Sequence, residues 1–204
     1  MTPTVLLLDC DGVIRHWDQD AFAALAATAG CSTADLAAIA FDDALLGSAM
    51  VGIITAEVWA DEIGARAEST HGGDAAEVSA GFAAMGWTID DTVLAVAERV
   101  RAAGHRVGIL SNASTRLEVD LAASGVSQAV DIVLSSARLG LAKPDPAIYV
   151  AAAAALGVEA GDCLFIDDHA ANVQGAREAG MLSEVFMGAT SLVTLLGQVG
   201  LLDR

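Results

Sequence analysis

The 204 residues suffice for one core domain with a modest insertion and are too few for two large domains. Hydrophobic residues make up 54% and charged residues 18%, the balance of a chain that buries a core and not of a disordered one. A formal net charge of -17 argues against nucleic acid and anionic membrane as partners, and it obliges any anionic substrate to find a locally positive site.

The first element is the apolar run Val5 to Leu8, which stops at Asp9-Cys10-Asp11-Gly12 and reads as a buried strand ending in a polar turn. Similar runs follow at Val107 to Leu110, Ile132 to Leu134, Cys163 to Ile166 and, more weakly, Val185 to Met187. Helical patterns separate them: Asp91 to Ala103, Thr115 to Ser124, Pro146 to Leu156 and Ala170 to Ala179, each followed by a stop glycine. This alternation predicts an α/β fold with a doubly wound parallel sheet.

The stretch from about Trp17 to Trp87 breaks the rhythm and holds no convincing strand. Its helix starts are Ser32 with Asp35, Thr55 with Glu57, and Asp74 with Glu77. The expected division is therefore a core of residues 1–16 and 88–204 and a small helical cap of residues 17–87, inserted after the first strand.

Three cysteines, Cys10, Cys31 and Cys163, form no metal-type spacing and fit reduced, buried thiols in a cytoplasmic protein. No stretch approaches the roughly 20 apolar residues of a membrane span, and the N-terminal apolar run is too short for a signal peptide.

Ligands of open α/β sheets bind at the carboxyl ends of the strands, where this chain carries Asp9 and Asp11, Ser111 and Asn112, and Asp167 and Asp168. Asp9 and Asp11 fit either a turn capped by its own side chains or a catalytic pair. In the second case Asp9 attacks phosphorus, while Asp11 protonates the leaving oxygen and later deprotonates a water. Asp167 and Asp168 leave a buried strand rather than a solvated face. Four converging carboxylates would repel one another, by ~4 kcal/mol per pair about 4 Å apart at an effective dielectric near 20. A hard divalent cation such as magnesium would relieve this. Ser111 and Asn112 fit a helix cap or donors to phosphoryl oxygens. Lys143 fits either an exposed lysine or a fixed cation in the two-proline loop that opens a helix.

In this order the pieces resemble the four motifs of the haloacid dehalogenase superfamily. Leu8 to Ile14 (LDCDGVI) resembles the first in its two-Asp phosphatase form, and Leu110-Ser-Asn112 the second. Lys143 to Tyr149 (KPDPAIY) resembles the third, and Phe165-Ile-Asp-Asp168 with Asn172 to Ala176 (NVQGA) and Gly180-Met181 the fourth. Within the superfamily the chain looks most like small sugar-phosphate phosphatases and the N-terminal domain of soluble epoxide hydrolase. The resemblance implies a magnesium-dependent phosphatase acting on a small phosphorylated metabolite through an aspartyl-phosphate. It makes Asp9 nucleophile and metal ligand, and Asp11 acid/base with its carbonyl on the metal. Ser111, Asn112 and Lys143 would bind the phosphoryl group, and Asp168, ahead of Asp167, would be the further metal ligand.

The alternatives are a phosphotransferase or sugar phosphomutase with the same site, a 2-haloacid dehalogenase, and a non-catalytic binding protein. The dehalogenase branch lacks the second acid, so Asp11 argues against it. His169 follows the acids and fits either a contact that senses phosphate or, the favoured reading, a surface or capping role. Arg15, His16 and Trp17 fit either a cleft lining or hinge packing. Trp59 and Trp87 fit cap core, and Cys10 should point away from its catalytic neighbours.

Overall fold

The computed structural model describes residues 2–203. The first strand, β1 (Val5–Leu8), is buried at every position, and its side chains alternate between two cores. Leu6 and Leu8 pack into one apolar cluster, Val5 and Leu7 into another on the opposite face. This explains why the strand reads as a continuous apolar run: both faces are covered.

Beyond β1 come a short strand β2 (Arg15–Trp17) and five helices. These are α1 (Gln19–Thr28), α2 (Thr33–Ala40), α3 (Asp43–Met50), α4 (Ala56–His71) and α5 (Ala75–Ala83). A third short strand, β3 (Trp87–Ile89), pairs antiparallel with β2 and brings the chain back beside its point of departure. The rest alternates: α6 (Asp91–Ala102), β4 (Arg106–Ser111), α7 (Leu117–Ala123), β5 (Ile132–Ser135), α8 (Ser136–Leu139), α9 (Pro146–Leu156), β6 (Cys163–Asp167), α10 (Ala170–Glu178), β7 (Leu182–Val185) and α11 (Ala189–Val199).

The main sheet has five strands in the order β5-β4-β1-β6-β7, all parallel. The chain fills one side of β1 with β4 and β5, then crosses to add β6 and β7 on the other. The crevice at that change of direction lies at the carboxyl ends of β4, β1 and β6. One face is covered with the help of Val93, Val96, Ala97 and Val100 of α6 and Leu192 and Leu196 of α11. The other packs Ile148, Tyr149 and Leu156 of α9 against Phe165 and Leu7. No single helix among the described residues is long and apolar enough to cross a membrane.

The helix starts read from sequence form as hydrogen-bonded caps. Ser32 and Asp35 close a reciprocal capping box, Thr55 accepts from the Val58 amide, and Asp74 accepts from the Glu77 amide. Two differences have physical reasons. Trp17 and Trp87 belong to the β2–β3 ribbon, whose strands of three residues are too short to show alternation. The last strand is Leu182–Val185 and not Val185 to Met187, because Met187 is exposed while Ser183 is buried and bonds to the Val173 carbonyl. Cys31, expected among the buried thiols, is half-buried; all three cysteines are free.

Phe165 lies in β6 with its ring 5.2 Å from that of Tyr149 and 5.3 Å from the Lys143 ammonium. Phe165→Ala therefore opens a cavity directly beneath the strand ends. The expected loss is about 3–5 kcal/mol of stability in urea unfolding; a loss within 1 kcal/mol would show that this face is not packed as described.

Candidate active site

The turn after β1 is built from backbone bonds that fold the chain back on itself. The Ile14 and Arg15 amides both donate to the Cys10 carbonyl at 2.8 Å, and the Gly12 amide donates to the Arg15 carbonyl at 2.9 Å. Gly12 takes φ +84°, and a Cβ there would fall 2.2 Å from Asp168 Oδ2. Glycine is required for both reasons: the left-handed backbone, and the Asp168 carboxylate lying against the turn. Cys10 points the other way, into the apolar cluster with Leu6 and Leu8, where burial pushes its thiol far above the ordinary range.

The structure brings Asp9, Lys143 and Asp167 together and buries all three. Lys143 Nζ lies 2.8 Å from Asp9 Oδ1, 2.6 Å from Asp167 Oδ2 and 3.2 Å from the Leu110 carbonyl. The ammonium's three donors thus have three acceptors, and Lys143 is not the exposed lysine that its residue type favours. Burial pushes the Asp9 carboxyl up to about 6; Lys143 pulls it back and the Asp167 charge raises it again.

The loop that carries Lys143 is tied to the end of β4. Asn112 accepts from the Lys143 amide and donates to the Lys143 carbonyl, both at 2.8 Å. Its carboxamide is therefore a clasp between two strand ends, retaining one amide hydrogen for another acceptor. Ser111 is buried, and its side chain helps to lower the Asp9 carboxyl. On the other side the loop rests on α10, where a Cβ at Gly175 would fall 2.1 Å from the Pro144 carbonyl. Gly175 is thus needed for close approach of helix and loop.

Asp167 is fully enclosed. Its Oδ1 accepts from the His169 amide and Asn172, and its Oδ2 from Lys143 and Asn172. Asp168 is partly exposed, with Oδ1 bonded to His169 Nδ1 at 2.7 Å, a contact that raises the imidazole. Oxygen or nitrogen atoms of Asp167, Asp168 and His169 lie within 4.8 Å of one another and could hold a metal ion. The donors fit magnesium, since the carboxylates are hard oxygen ligands and no thiolate joins them. Asp168, which lies against the Gly12 turn, has more freedom to coordinate than Asp167, whose oxygens are already engaged.

Asp11 faces a different partner. Arg15 Nε donates to Asp11 Oδ1 at 2.7 Å and Nη2 to Oδ2 at 2.9 Å, a two-pronged pair. The guanidinium is nearly buried, 4.5 Å from the Trp17 ring centroid and 5.7 Å from that of Trp87. Sequence reasoning named Arg15 without a partner, and Asn172 only as part of a motif; neither spacing announces a contact.

The sequence matches the haloacid dehalogenase-like hydrolase family over residues 3–180, which takes in all of these strand ends. The chain belongs to that family. Among relatives, it is 48% identical over 86 residues to Phosphatase MT3486 of Mycobacterium tuberculosis (strain CDC 1551 / Oshkosh), covering 41% of this chain and 40% of that one. It is 37% identical over 84 residues to (S)-2-haloacid dehalogenase 4A of Burkholderia cepacia, covering 41% and 36%. The aligned part thus spans well under two thirds of either relative. Among solved structures, a haloacid dehalogenase family enzyme of Bacteroides thetaiotaomicron in complex with magnesium and inorganic phosphate superposes with a TM-score of 0.71. That match covers 90% of this chain and 93% of the other at 20% identity, a likeness of fold.

Because the folded state holds the Asp9 proton more tightly than the ordinary 3.8, ionising this carboxyl costs stability as pH rises from about 4 to about 6. Asp9→Asn removes that cost. In metal-free buffer the variant is expected to be more stable than wild type above about pH 6, by at most ~3 kcal/mol, with the gain fading below about pH 4. Thermal melts across this range check it; a gain that grows toward acid would reverse the sign of the argument.

Proposed function

We propose that this hydrolase is a magnesium-dependent phosphatase that cleaves a small phosphate monoester through a phosphoryl group on Asp9. The observation that carries the reading is Asp11, a second carboxyl in the same turn as a buried carboxylate paired with lysine. A dehalogenase attacking carbon has no step that needs this acid.

In the proposed first step an Asp9 oxygen bonds to phosphorus as the bond to the leaving oxygen breaks, and Asp11 gives that oxygen its proton. In the second, Asp11 takes a proton from water, the water oxygen bonds to phosphorus, and the bond to Asp9 breaks. Both Asp11 oxygens accept from Arg15, so this work requires Asp11 to give up at least one of those bonds as substrate enters. Lys143 fixes the Asp9 rotamer and supplies positive charge beside the phosphoryl group, while Ser111 and the remaining Asn112 hydrogen offer donors to its oxygens. Asp167 holds Lys143 and Asn172 in place. Magnesium bound by Asp9, the Asp11 carbonyl and Asp168 would neutralise charge on the phosphoryl group in a protein that is otherwise strongly acidic.

Residues 17–87 act in this reading as a cap over the carboxyl edge and residues 1–16 and 88–204 as the catalytic core. Two contacts support that placement: the Ala56 amide donates to Thr115 Oγ1, and Arg116 donates to the Ala83 carbonyl. Closing the cap excludes water and strengthens every interaction within the cleft.

Phosphate release from an aryl phosphate is expected to require magnesium and to stop with a chelator. Asp11→Asn should lower turnover on the order of 10² to 10⁴-fold. Full activity without metal, a fully active Asp11→Asn, or halide release from a 2-haloacid in place of phosphate release would overturn the reading.

A further inference from the structure

The chain has five Phe, three Trp and one Tyr, so aromatic rings are scarce. Six of them line one cavity of about 610 Å³ between the helical segment and the strand ends: Trp17, Phe22, Phe41, Trp59, Phe82 and Trp87. Asp11 and Asn112 line the same cavity, so the apolar space is continuous with the proposed catalytic end. The volume lies within the range that encloses drug-sized ligands.

The rings form two walls. On the helical side Phe22 and Phe41 stack at 6.1 Å, Phe41 and Trp59 lie 6.5 Å apart, and Trp59 meets Phe82 edge-on at 5.1 Å. The Trp59 indole donates to the Ala40 carbonyl, which fixes its plane. On the other side Trp17 and Trp87 flank the Arg15 guanidinium. Phe41 keeps 48% of its surface exposed and Trp17 38%, so these rings are not simply core.

The charged groups of the lining are already matched. Arg15 pairs with Asp11 and approaches Asp120 at 3.9 Å, and Arg116 pairs with Asp120 at 3.2 Å and donates to the Ala83 carbonyl. Glu57 adds a further negative charge. Among the described residues of the lining both cations are paired, so neither is free to receive a second anionic group. Gln19, Thr33, Glu57 and Ser114 offer partners for a few hydroxyls, but most of the lining is apolar and leaves the remaining hydroxyls of a sugar unbonded.

We infer that this chamber selects phosphate monoesters whose leaving group is a neutral, apolar, ring-bearing alcohol, over sugar phosphates and polyanionic esters. The inference rests on the phosphatase reading for the reaction, and on the chamber alone for the ring. Stacking and burial of one ring between such walls favour the aromatic ester by a large factor.

The test compares 2-(4-nitrophenyl)ethyl phosphate with glycerol 3-phosphate, both esters of primary alcohols, so the departing oxygens are alike. The expected kcat/KM ratio favours the aromatic ester on the order of 10²-fold. Phe41→Ala, at a half-exposed ring, should cut that ratio about tenfold, and Phe41→Tyr should restore it. A second arm needs no turnover: the neutral product 2-(4-nitrophenyl)ethanol is titrated against intrinsic tryptophan fluorescence, since all three tryptophans line the chamber. Saturable quenching, weakened in Phe41→Ala, is expected. Quenching without turnover of either ester supports the chamber and tells against the phosphatase reading. Equal turnover of both esters, preference for glycerol 3-phosphate, or absence of saturable quenching overturns the inference while leaving phosphatase activity to stand on its own result.

Discussion

The Lys143 ammonium, buried between Asp9 and Asp167, is the contact on which the rest of the site depends. Two carboxylates cannot be taken out of water at the end of a parallel sheet without a partner. The lysine supplies that partner from a loop that belongs to neither of their strands. Much of the surrounding structure serves to hold it there. Asn112 clasps the Lys143 backbone from the end of β4, Gly175 lets α10 approach Pro144, and Phe165 lies beneath the ammonium. Four segments distant in sequence thereby meet around one charge.

A second ion pair gives the two acids of the turn after β1 different surroundings. Asp9 faces Lys143 and the sheet, while Asp11 faces Arg15 and the cleft. Gly12 makes this possible, because its missing side chain leaves room for Asp168 against the turn. Arg15 opens the ribbon leading into the helical segment, so the group that holds Asp11 sits where that segment is joined to the sheet. Asp11, Arg15, Trp17 and Trp87 therefore line one end of the aromatic cavity together.

The sheet and the helix caps were legible because each has a local chemical cause. Val5 to Leu8 is apolar since both its faces are covered, and Ser32 with Asp35 marks a helix start by bonding two free amides. The candidate site was legible because its acids and lysine fall at strand ends or in the loop before a helix. What escaped has no local mark. The β2–β3 ribbon is three residues a side, and β7 is an edge strand whose Ser183 and Glu184 disguise it. The pairing of Arg15 with Asp11, the clasp made by Asn112, and the hold of Asn172 on Asp167 depend on side-chain directions that only the folded chain fixes. The six aromatics are spread over 71 positions of sequence and meet only in three dimensions.

The central claim is that Asp9 carries the phosphoryl group, and trapping that group tests it most directly. A phosphate monoester labelled at phosphorus is mixed with enzyme and magnesium, quenched in acid within a single turnover, and digested. The account predicts label on the peptide containing Asp9, released by hydroxylamine, and heavy oxygen from solvent water in the free phosphate. Turnover with no label on that peptide, or heavy oxygen in the Asp9 carboxylate itself, would contradict it.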